Sequence, residues 1–289
     1  MKEIVILSGK GGTGKTSITA SFASLAENKV LCDADVDASD LWLILSPRII
    51  KEEEFRSGHI AIINKDKCTE CGLCRELCRW DAISEDFEID EIDCEGCGVC
   101  YHFCPEKAID FPEKVCGKWF ISETRFGPMV HAKLGIAEEN SGKLVALVRQ
   151  EARKIAEQKG LDLIITDGPP GIGCPVISSI GGATAILVIS EPTISGIHDM
   201  ERVLQLANHF NIPAMLCINK FDLNRKEAEN IESFAQERKI PVIGKIPFDP
   251  IFTKAMIHGK NVLEFDPDSH LSKVIRDIWE NACSFLAEN

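Results

Sequence analysis

Short apolar runs alternate along most of the chain with longer segments of helical periodicity. Runs rich in Ile, Val and Leu predict buried strands, and the segments between them carry apolar residues at three- and four-residue spacing. The predicted strands are Lys2–Ser8, Lys29–Asp33, Leu161–Thr166, Ala185–Ser190, Ala214–Ile218 and Val242–Ile246. The predicted helices are about Lys15–Ala26, Lys143–Lys159, Ile197–Phe210, Arg225–Lys239 and Leu271–Ala287. This alternation predicts an α/β fold with a parallel sheet covered on both faces by helices.

The alternation stops between about residues 59 and 112, where the chain repeats itself with an offset of 26 residues. Cys68, Cys71, Cys74 and Cys78 map onto Cys94, Cys97, Cys100 and Cys104, and Gly72 maps onto Gly98. Because the strand pattern resumes afterwards, the sequence predicts a small domain, 59–113, inserted between two parts of the α/β domain, 1–58 and 114–289. Residues 115–142 show no clear pattern, and we expect a docking or dimer-contact region there.

The charge is negative and uneven. The 289 residues carry a net charge of −13, and residues 60–112 alone hold 13 acidic and 5 basic residues. An acidic surface repels nucleic acid and anionic membranes, so we expect neither as a partner. No secretory signal and no apolar run of the roughly 18–20 residues needed for a membrane span is visible, which favours a cytoplasmic protein.

Eight of the thirteen cysteines form two runs of the spacing C-x2-C-x2-C-x3-C, and Pro105 follows the second. Reduced cysteines in a cytosolic protein favour metal ligation over disulfides. Zinc is the alternative metal, but structural zinc sites use cysteine pairs separated by longer gaps. The runs resemble those that hold [4Fe–4S] clusters in bacterial ferredoxins, although Arg79 stands where the second run has Pro105.

The ferredoxin resemblance also implies which cysteines share a cluster. In two-cluster ferredoxins the fourth cysteine of each run binds the other cluster. One cluster would then use Cys68, Cys71, Cys74 and Cys104, and the other Cys94, Cys97, Cys100 and Cys78.

A glycine-rich loop, Gly9–Thr16 with the sequence GKGGTGKT, follows the first predicted strand and opens a predicted helix. Glycines let the backbone N–H groups approach phosphate oxygens closely, and a helix N-terminus favours the anion. Lys15 supplies a cation to the β- and γ-phosphates, and the Thr16 hydroxyl is placed to bind Mg²⁺. Since a strand precedes the loop and a helix follows it, a nucleotide site is favoured over a chance glycine-rich turn.

The second lysine of the loop, Lys10, makes it resemble the deviant Walker A motif of the MinD/ParA/Mrp ATPases, to which the nitrogenase iron protein is related. The resemblance implies that Lys10 reaches the nucleotide of a partner subunit in a nucleotide-dependent homodimer. Asp35 would position the attacking water, and Asp33 would support Mg²⁺. Asp167, in the segment Asp167–Gly171, would hold Mg²⁺ through water. Asp residues after strands are also common as turn or cap formers.

Two further segments bear on the nucleotide base. Asn219–Asp222, with the sequence NKFD, resembles the element that reads guanine in GTPases, whereas in the MinD group the asparagine contacts adenine. Ile246–Asp249 resembles the base-contacting loop of that group, so we favour ATP over GTP. The expected nucleotide-binding residues are Gly11, Gly12, Thr13, Gly14, Lys15, Thr16, Ser17, Asp33, Asn219, Lys220, Pro247 and Asp249.

The whole pattern resembles MinD-superfamily ATPases that contain an inserted ferredoxin domain. It implies an ATPase whose nucleotide switch is coupled to electron transfer through two [4Fe–4S] clusters, with an unknown redox or cofactor-assembly protein as partner. Two alternatives remain open: a carrier or assembly ATPase for iron–sulfur or other metal cofactors, and a nucleotide-dependent scaffold whose clusters are structural. Cys174 follows the Asp167–Gly171 segment, where it either packs or touches a partner, and Cys32 and Cys217 are expected in the core.

Overall fold

A computed structural model of the chain describes residues 1–135 and 141–289. It divides into two compact units. The first comprises Met1–Glu53, Trp119–Lys133 and Ser141–Asn289, and the second is formed mainly by Glu54–Lys118. The domain limits expected from the sequence, near residues 59 and 113, stay predictions, and the compact units divide about five residues outside them.

A sheet of nine strands runs through the described residues. The strands are β1 Lys2–Ser8, β2 Lys29–Asp33, β3 Arg48–His59, β6 Glu113–Thr124, β7 Gly127–Leu134, β8 Leu163–Pro170, β9 Ala185–Ser190, β10 Ala214–Asn219 and β11 Val242–Ile246. Their order is β11-β10-β9-β1-β8-β2-β7-β6-β3. The pairings from β11 to β7 are parallel, so the carboxyl ends of these strands share one edge.

Helices connect the strands. They are α1 Lys15–Leu25, α2 Leu41–Leu45, α5 Ser141–Lys159, α6 Cys174–Ile180, α7 Ile194–His209, α8 Arg225–Glu237, α9 Ile251–Ile257, α10 Val262–Phe265 and α11 His270–Glu288. Alternate residues of β1 belong to two different hydrophobic clusters. Ile4 and Ile6 pack with α1 and α11, whereas Val5 and Leu7 pack with α6, α7 and α8. The sheet therefore has helices on both faces, as predicted.

The strands at one end of the sheet were not predicted. Strands β3, β6 and β7 carry charged residues among their apolar ones, and β6 and β7 occupy most of the stretch for which the sequence predicted no element. The expected docking or dimer-contact role of residues 115–142 stays a prediction, and 136–140 lie outside the described residues. Strand β8 also extends beyond its predicted end at Thr166, because Ser8 of β1 still pairs with Pro170. Asp167 thus lies inside a strand and not after one.

The second unit shows the internal repeat as structure. Each cysteine run contains one short helix, α3 Leu73–Leu77 or α4 Val99–Phe103. Each helix begins after a glycine with a left-handed backbone, Gly72 at φ 80° and Gly98 at φ 74°. A two-stranded antiparallel ribbon of β4 Ile62–Ile63 and β5 Ile109–Asp110 joins the ends of the unit.

Candidate functional site

The glycine-rich loop connects β1 to α1 at the carboxyl edge of the sheet. Gly12 and Gly14 have left-handed φ angles of 79° and 90°, a conformation that glycine adopts without strain. A Cβ atom on Gly14 would lie 2.5 Å from Nδ2 of Asn219. The loop therefore needs glycine at this position both for its backbone angles and for the closeness of the neighbouring strand.

Lys15, the first residue of α1, lies between two carboxylates. Its Nζ is 3.1 Å from Oδ2 of Asp35 and 3.3 Å from Oδ1 of Asp167. All three residues are buried, with Lys15 only 5% exposed. Strands β2 and β8 are adjacent and parallel, which brings the two aspartates to one edge of the sheet.

Burial and charge shift the protonation of this group. Burial opposes the charge of Lys15, but Asp167, Asp35 and Asp33 outweigh it and raise the pKa of the ammonium. Burial raises the pKa of Asp35, although Lys15 counteracts it. Burial and then the neighbouring Asp167 raise the pKa of Asp33 well above its usual value. Carboxylates held in this way gain from any additional cation that enters the site.

Hydroxyl groups of α1 complete an oxygen-rich cluster around Asp167. Thr16 donates its hydroxyl proton to Oδ2 of Asp167 at 2.7 Å, and Thr19 donates to Oδ1 at 3.0 Å. On the other side, Ser39 donates to Asp33 at 2.7 Å. In the described part of the chain, no group of three or more His, Cys, Asp and Glu side chains converges so as to hold a metal ion by itself. Mg²⁺ at nucleotide sites keeps several waters and takes one or two carboxylates plus phosphate oxygens, so such a cage is not required.

The loop is braced by the strand end that carries the NKFD segment. The buried Asn219 donates from Nδ2 to the carbonyl oxygen of Thr13 at 2.7 Å, and Lys220 donates from Nζ to the carbonyl of Gly12 at 3.1 Å. The Thr13 hydroxyl is buried and, among the described residues, has no hydrogen-bond partner within the protein. A buried hydroxyl without a partner is costly, which indicates that a ligand completes this loop.

The two segments expected at the base are joined by a hydrogen bond. The backbone N–H of Phe248 donates to Oδ1 of Asp222 at 2.6 Å. Asp249 accepts from the N–H of Ile251 at 2.9 Å, at the start of α9, and Pro247 directly precedes Phe248. One oxygen of Asp222 is therefore already engaged by the backbone of the neighbouring loop.

Lys10 contacts a residue that the sequence analysis did not single out. Its Nζ lies 3.6 Å from Oε2 of Glu191, and Glu191 also pairs with Lys220 through its other oxygen. Glu191 directly follows β9, so the rule that selected Asp33, a polar residue at the carboxyl end of a strand, would have found it. Ser17 lies in the first turn of α1, and its carbonyl accepts from the Ser21 hydroxyl.

Two cavities in the second unit bring the cysteines together across the repeat. One is lined by the first three cysteines of the first run and the last of the second: Cys68, Cys71, Cys74 and Cys104. The other is lined by Cys94, Cys97, Cys100 and Cys78. These are the two sets that the ferredoxin resemblance implies.

The remaining walls of the two cavities also correspond under the 26-residue offset. Ala82, Ile83 and Val99 line one, and Ala108, Ile109 and Leu73 line the other. Burial raises the pKa of Cys100 to about 11 and raises the pKa of Cys74 as well. Eight cysteines thus form two matching apolar pockets with four sulfurs each.

The other cysteines lie elsewhere. Cys32 and Cys217 are fully buried in the core, as expected, whereas Cys174 is exposed at the start of α6. All thirteen cysteines lie in the described ranges, and none of them forms a disulfide there. No helix of the described residues is long and apolar enough to cross a membrane.

Comparisons with known proteins match most of the chain. Residues 4–263 match the family model for the CobQ/CobB/MinD/ParA nucleotide binding domain. An uncharacterized protein of Methanocaldococcus jannaschii is 35% identical over 288 residues, which cover 98% of this chain and 97% of that protein. The septum site-determining protein MinD of Bacillus subtilis is 24% identical over 286 residues, covering 95% of this chain and 86% of that protein.

Solved structures share the fold. The septum site-determining protein MinD complexed with Mg-ADP from Pyrococcus horikoshii matches with a TM-score of 0.59 and 17% identity, over 97% of this chain and 95% of that chain. The common architecture is an α/β fold with a glycine-rich phosphate loop, a mostly parallel central sheet and flanking helices.

Proposed function

Because the chain belongs to the CobQ/CobB/MinD/ParA nucleotide-binding family and is a P-loop ATPase that hydrolyses ATP, we propose that its nucleotide switch is coupled to electron transfer through two [4Fe–4S] clusters. The observation that carries the proposal is the pair of cavities, each lined by four cysteines taken from both runs. A P-loop ATPase does not need these cysteines for its own reaction, so they add a second chemistry to the chain.

At the glycine-rich loop, the contacts of Lys15, Thr16 and Asp167 are compatible with binding of ATP and Mg²⁺. Lys15 would move from the two aspartates to the β- and γ-phosphates, and Thr16 and Asp167 would hold Mg²⁺, with Asp33 supporting it. Mg²⁺, when bound, neutralises charge on the phosphates. Asp35 would orient the attacking water, because it lies beside Lys15 and is slightly more exposed than Asp167.

The base is proposed to be adenine. In guanine recognition an aspartate carboxylate must accept hydrogen bonds from the base, but one oxygen of Asp222 already accepts from the Phe248 backbone. Asn219 donates to the carbonyl of Thr13, which places it beside the phosphate loop. Through Asp222 and Asn219, the NKFD segment contacts both the loop 246–249 and the phosphate loop. Pro247 and Asp249 would then lie beside the base, and Lys220 beside the phosphate loop.

Lys10 is proposed to act across a homodimer. Its side chain is one-third exposed, and its contacts with Thr193, Ser195 and Glu191 span 3.3 to 3.6 Å. A lysine held so weakly can be drawn to the phosphates of a partner subunit when two nucleotide-loaded copies meet. Nucleotide-dependent association of this chain would then form the active arrangement.

The cysteines of the second unit support the cluster part of the proposal. Thiolates are soft ligands suited to iron–sulfur clusters, and each cavity offers four of them within apolar walls. Cys68, Cys71, Cys74 and Cys104 would hold one cluster, and Cys94, Cys97, Cys100 and Cys78 the other. When bound, such clusters carry single electrons. The residues of this chain would supply the thiolates, limit water access through the apolar walls and donate a hydrogen bond from the Ala108 N–H to Cys104 Sγ, seen at 3.3 Å.

The test is metal analysis of anaerobically purified protein. We expect about eight irons and eight sulfides per chain and an electron paramagnetic resonance signal after dithionite reduction. Zinc in place of iron, or no signal, would contradict the cluster proposal without affecting the ATPase assignment.

Paired substitutions test which cysteines share a cluster. In the proposed sets, Cys78 and Cys94 bind the same cluster, so Cys78→Ser with Cys94→Ser should remove about four irons. Cys78→Ser with Cys68→Ser should remove both clusters. If each run instead held its own cluster, the two results would be exchanged. Cys283→Ser, a thiol outside both cavities, should retain all the iron.

Coupling has a separate test. If ATP shifts a cluster potential, reduction must shift ATP affinity by the same free energy, and 59 mV for one electron corresponds to a tenfold change. We expect oxidised and reduced protein to bind a non-hydrolysable ATP analogue with different affinity in anaerobic calorimetry. Equal affinities in protein with full iron content would favour clusters with a structural role.

A further inference from the structure

Glu191 lies where two lysines of the nucleotide site meet. It is the residue after β9, and Ile189 of β9 pairs with Ser8, the last residue before the glycine-rich loop. Its side chain is only 12% exposed. The backbone is fixed by a turn in which the N–H of Thr193 donates to the Glu191 carbonyl at 2.8 Å.

The two oxygens of Glu191 face different lysines. Oε1 contacts Lys220, whose Nζ also donates to the carbonyl of Gly12 in the loop. Oε2 lies 3.6 Å from Nζ of Lys10, which is also within 3.3 Å of the Thr193 hydroxyl and 3.5 Å of the Ser195 hydroxyl. The segment 191–195 thus surrounds the Lys10 ammonium with three oxygens.

The contacts of Glu191 with Lys220 and with Lys10 have different surroundings. Lys220 contacts Glu191 and also donates to the Gly12 carbonyl, so this contact belongs to a chain of bonds that supports the loop backbone. The contact with Lys10 spans 3.6 Å, and the other oxygens beside its Nζ are the hydroxyls of Thr193 and Ser195, so this ion pair is weak. A polyphosphate, with several negative charges, can therefore displace Glu191 from Lys10 while Lys220 remains in place.

We propose that Glu191 is a positioning residue that holds Lys10 away from the phosphates until a nucleoside triphosphate competes for it. The same carboxylate keeps Lys220 against the loop, so releasing Lys10 leaves the loop supported. Lys10 then becomes available only when the nucleotide is present. This proposal rests on the role of Lys10 at the phosphates given under Proposed function.

The test is a pair of double-mutant cycles on affinity for a non-hydrolysable ATP analogue, measured by calorimetry with sedimentation of the same samples. Glu191→Gln keeps the shape of the side chain and removes its charge. Because exposed ion pairs contribute up to about 1 kcal/mol, we expect Glu191→Gln to bind the analogue up to about fivefold more tightly and to associate at lower analogue concentration. The gain should shrink at high salt.

The two cycles show which lysine mediates the change in affinity caused by Glu191→Gln. In a Lys10→Ala background, Glu191→Gln should no longer change the affinity, whereas in a Lys220→Ala background the gain should persist. A simple loss of negative charge near the site is controlled by Glu201→Gln on α7, which should leave the affinity within twofold of the wild type, or about 0.4 kcal/mol.

Three outcomes would overturn the proposal. Weaker binding in Glu191→Gln that is unchanged by Lys10→Ala would show that Glu191 acts only through Lys220 and the loop. An equal gain in Glu201→Gln would show a general charge effect. If Lys10→Ala alone changes neither affinity nor association, the role of Lys10 itself fails, and that result is distinguishable because it does not involve Glu191.

Discussion

The contact of Lys15 with Asp35 and Asp167 makes Lys15→Ala the most informative single change in the nucleotide half. The side chain is buried, and both carboxylates lie within 3.3 Å of its Nζ. Truncation removes the cation but leaves two buried carboxylates facing each other. We therefore expect loss of ATP hydrolysis together with loss of stability in the nucleotide-free protein.

The magnitude follows from the burial. Removing one partner of a buried ion pair costs about 3–5 kcal/mol, because the remaining charge stays desolvated and unpaired. This is a large share of the roughly 5–15 kcal/mol that holds a domain together. Lys154→Ala provides the matched control: its Nζ pairs with Glu151 at 2.7 Å, but the lysine side chain is half exposed, so the loss should stay below about 1 kcal/mol.

The stability of the Lys15→Ala variant should also depend on pH in a characteristic way. Burial already raises the pKa of Asp35 with Lys15 in place, and Lys15 is what opposes the shift. Without Lys15 the pKa of Asp35 rises further, so the folded variant retains a proton that the unfolded chain releases. Stability then decreases as pH rises from the unfolded pKa towards the folded one, and the deficit should be larger at pH 8 than at pH 5.

The assay is urea unfolding of nucleotide-free protein at both pH values, with ATP hydrolysis measured in parallel. Replacing Asp35 by Asn in the Lys15→Ala background removes one unpaired charge and should recover part of the lost stability. An unfolding free energy equal to the wild type, at either pH, would refute the argument that Lys15 neutralises this pair. Normal hydrolysis would refute its assignment to the phosphates.

Three further predictions concern other residues. Asp35→Ala should bind ATP yet lose turnover, which binding and hydrolysis assays on one preparation can check; normal turnover would contradict its role with water. Competition binding should favour ATP over GTP, since Asp222 is engaged by the Phe248 backbone, and a preference for GTP would reverse that argument. Burial lowers the pKa of His131 from 6.5 to about 4, so the unfolded state binds the extra proton and stability should fall as pH drops through this window, by up to about 3 kcal/mol. His131→Gln should flatten that part of the pH profile in denaturant titrations, and an unchanged profile would assign the acid sensitivity to other groups.

Much of this protein could be predicted from contiguous residues. The six predicted strands appear near their expected limits, and Lys15 opens α1 as the loop sequence predicts. These features depend on local signals: apolar runs, glycines that permit left-handed angles, and a lysine and threonine at fixed spacing. The repeat gave two equivalent cysteine runs, and the ferredoxin resemblance implied how their cysteines combine; the cavities group the cysteines in those two sets.

Strands β3 and β6 could not be predicted in the same way. At this end of the sheet, charged residues such as those of Lys51–Glu54 interrupt the apolar pattern. Their strand conformation depends on pairing with segments distant in sequence, and a local pattern does not contain that information.

The partners of each charge were decided by tertiary structure alone. The sequence singled out Lys10, Lys15 and Asp167 as candidate site residues, but it did not predict that Lys15 lies between two aspartates or that Lys10 contacts Glu191. These contacts exist because parallel strands far apart in the chain end at one edge of the sheet. Strand order therefore determined the electrostatics of the site, whereas the sequence alone determined which residues were available to form it.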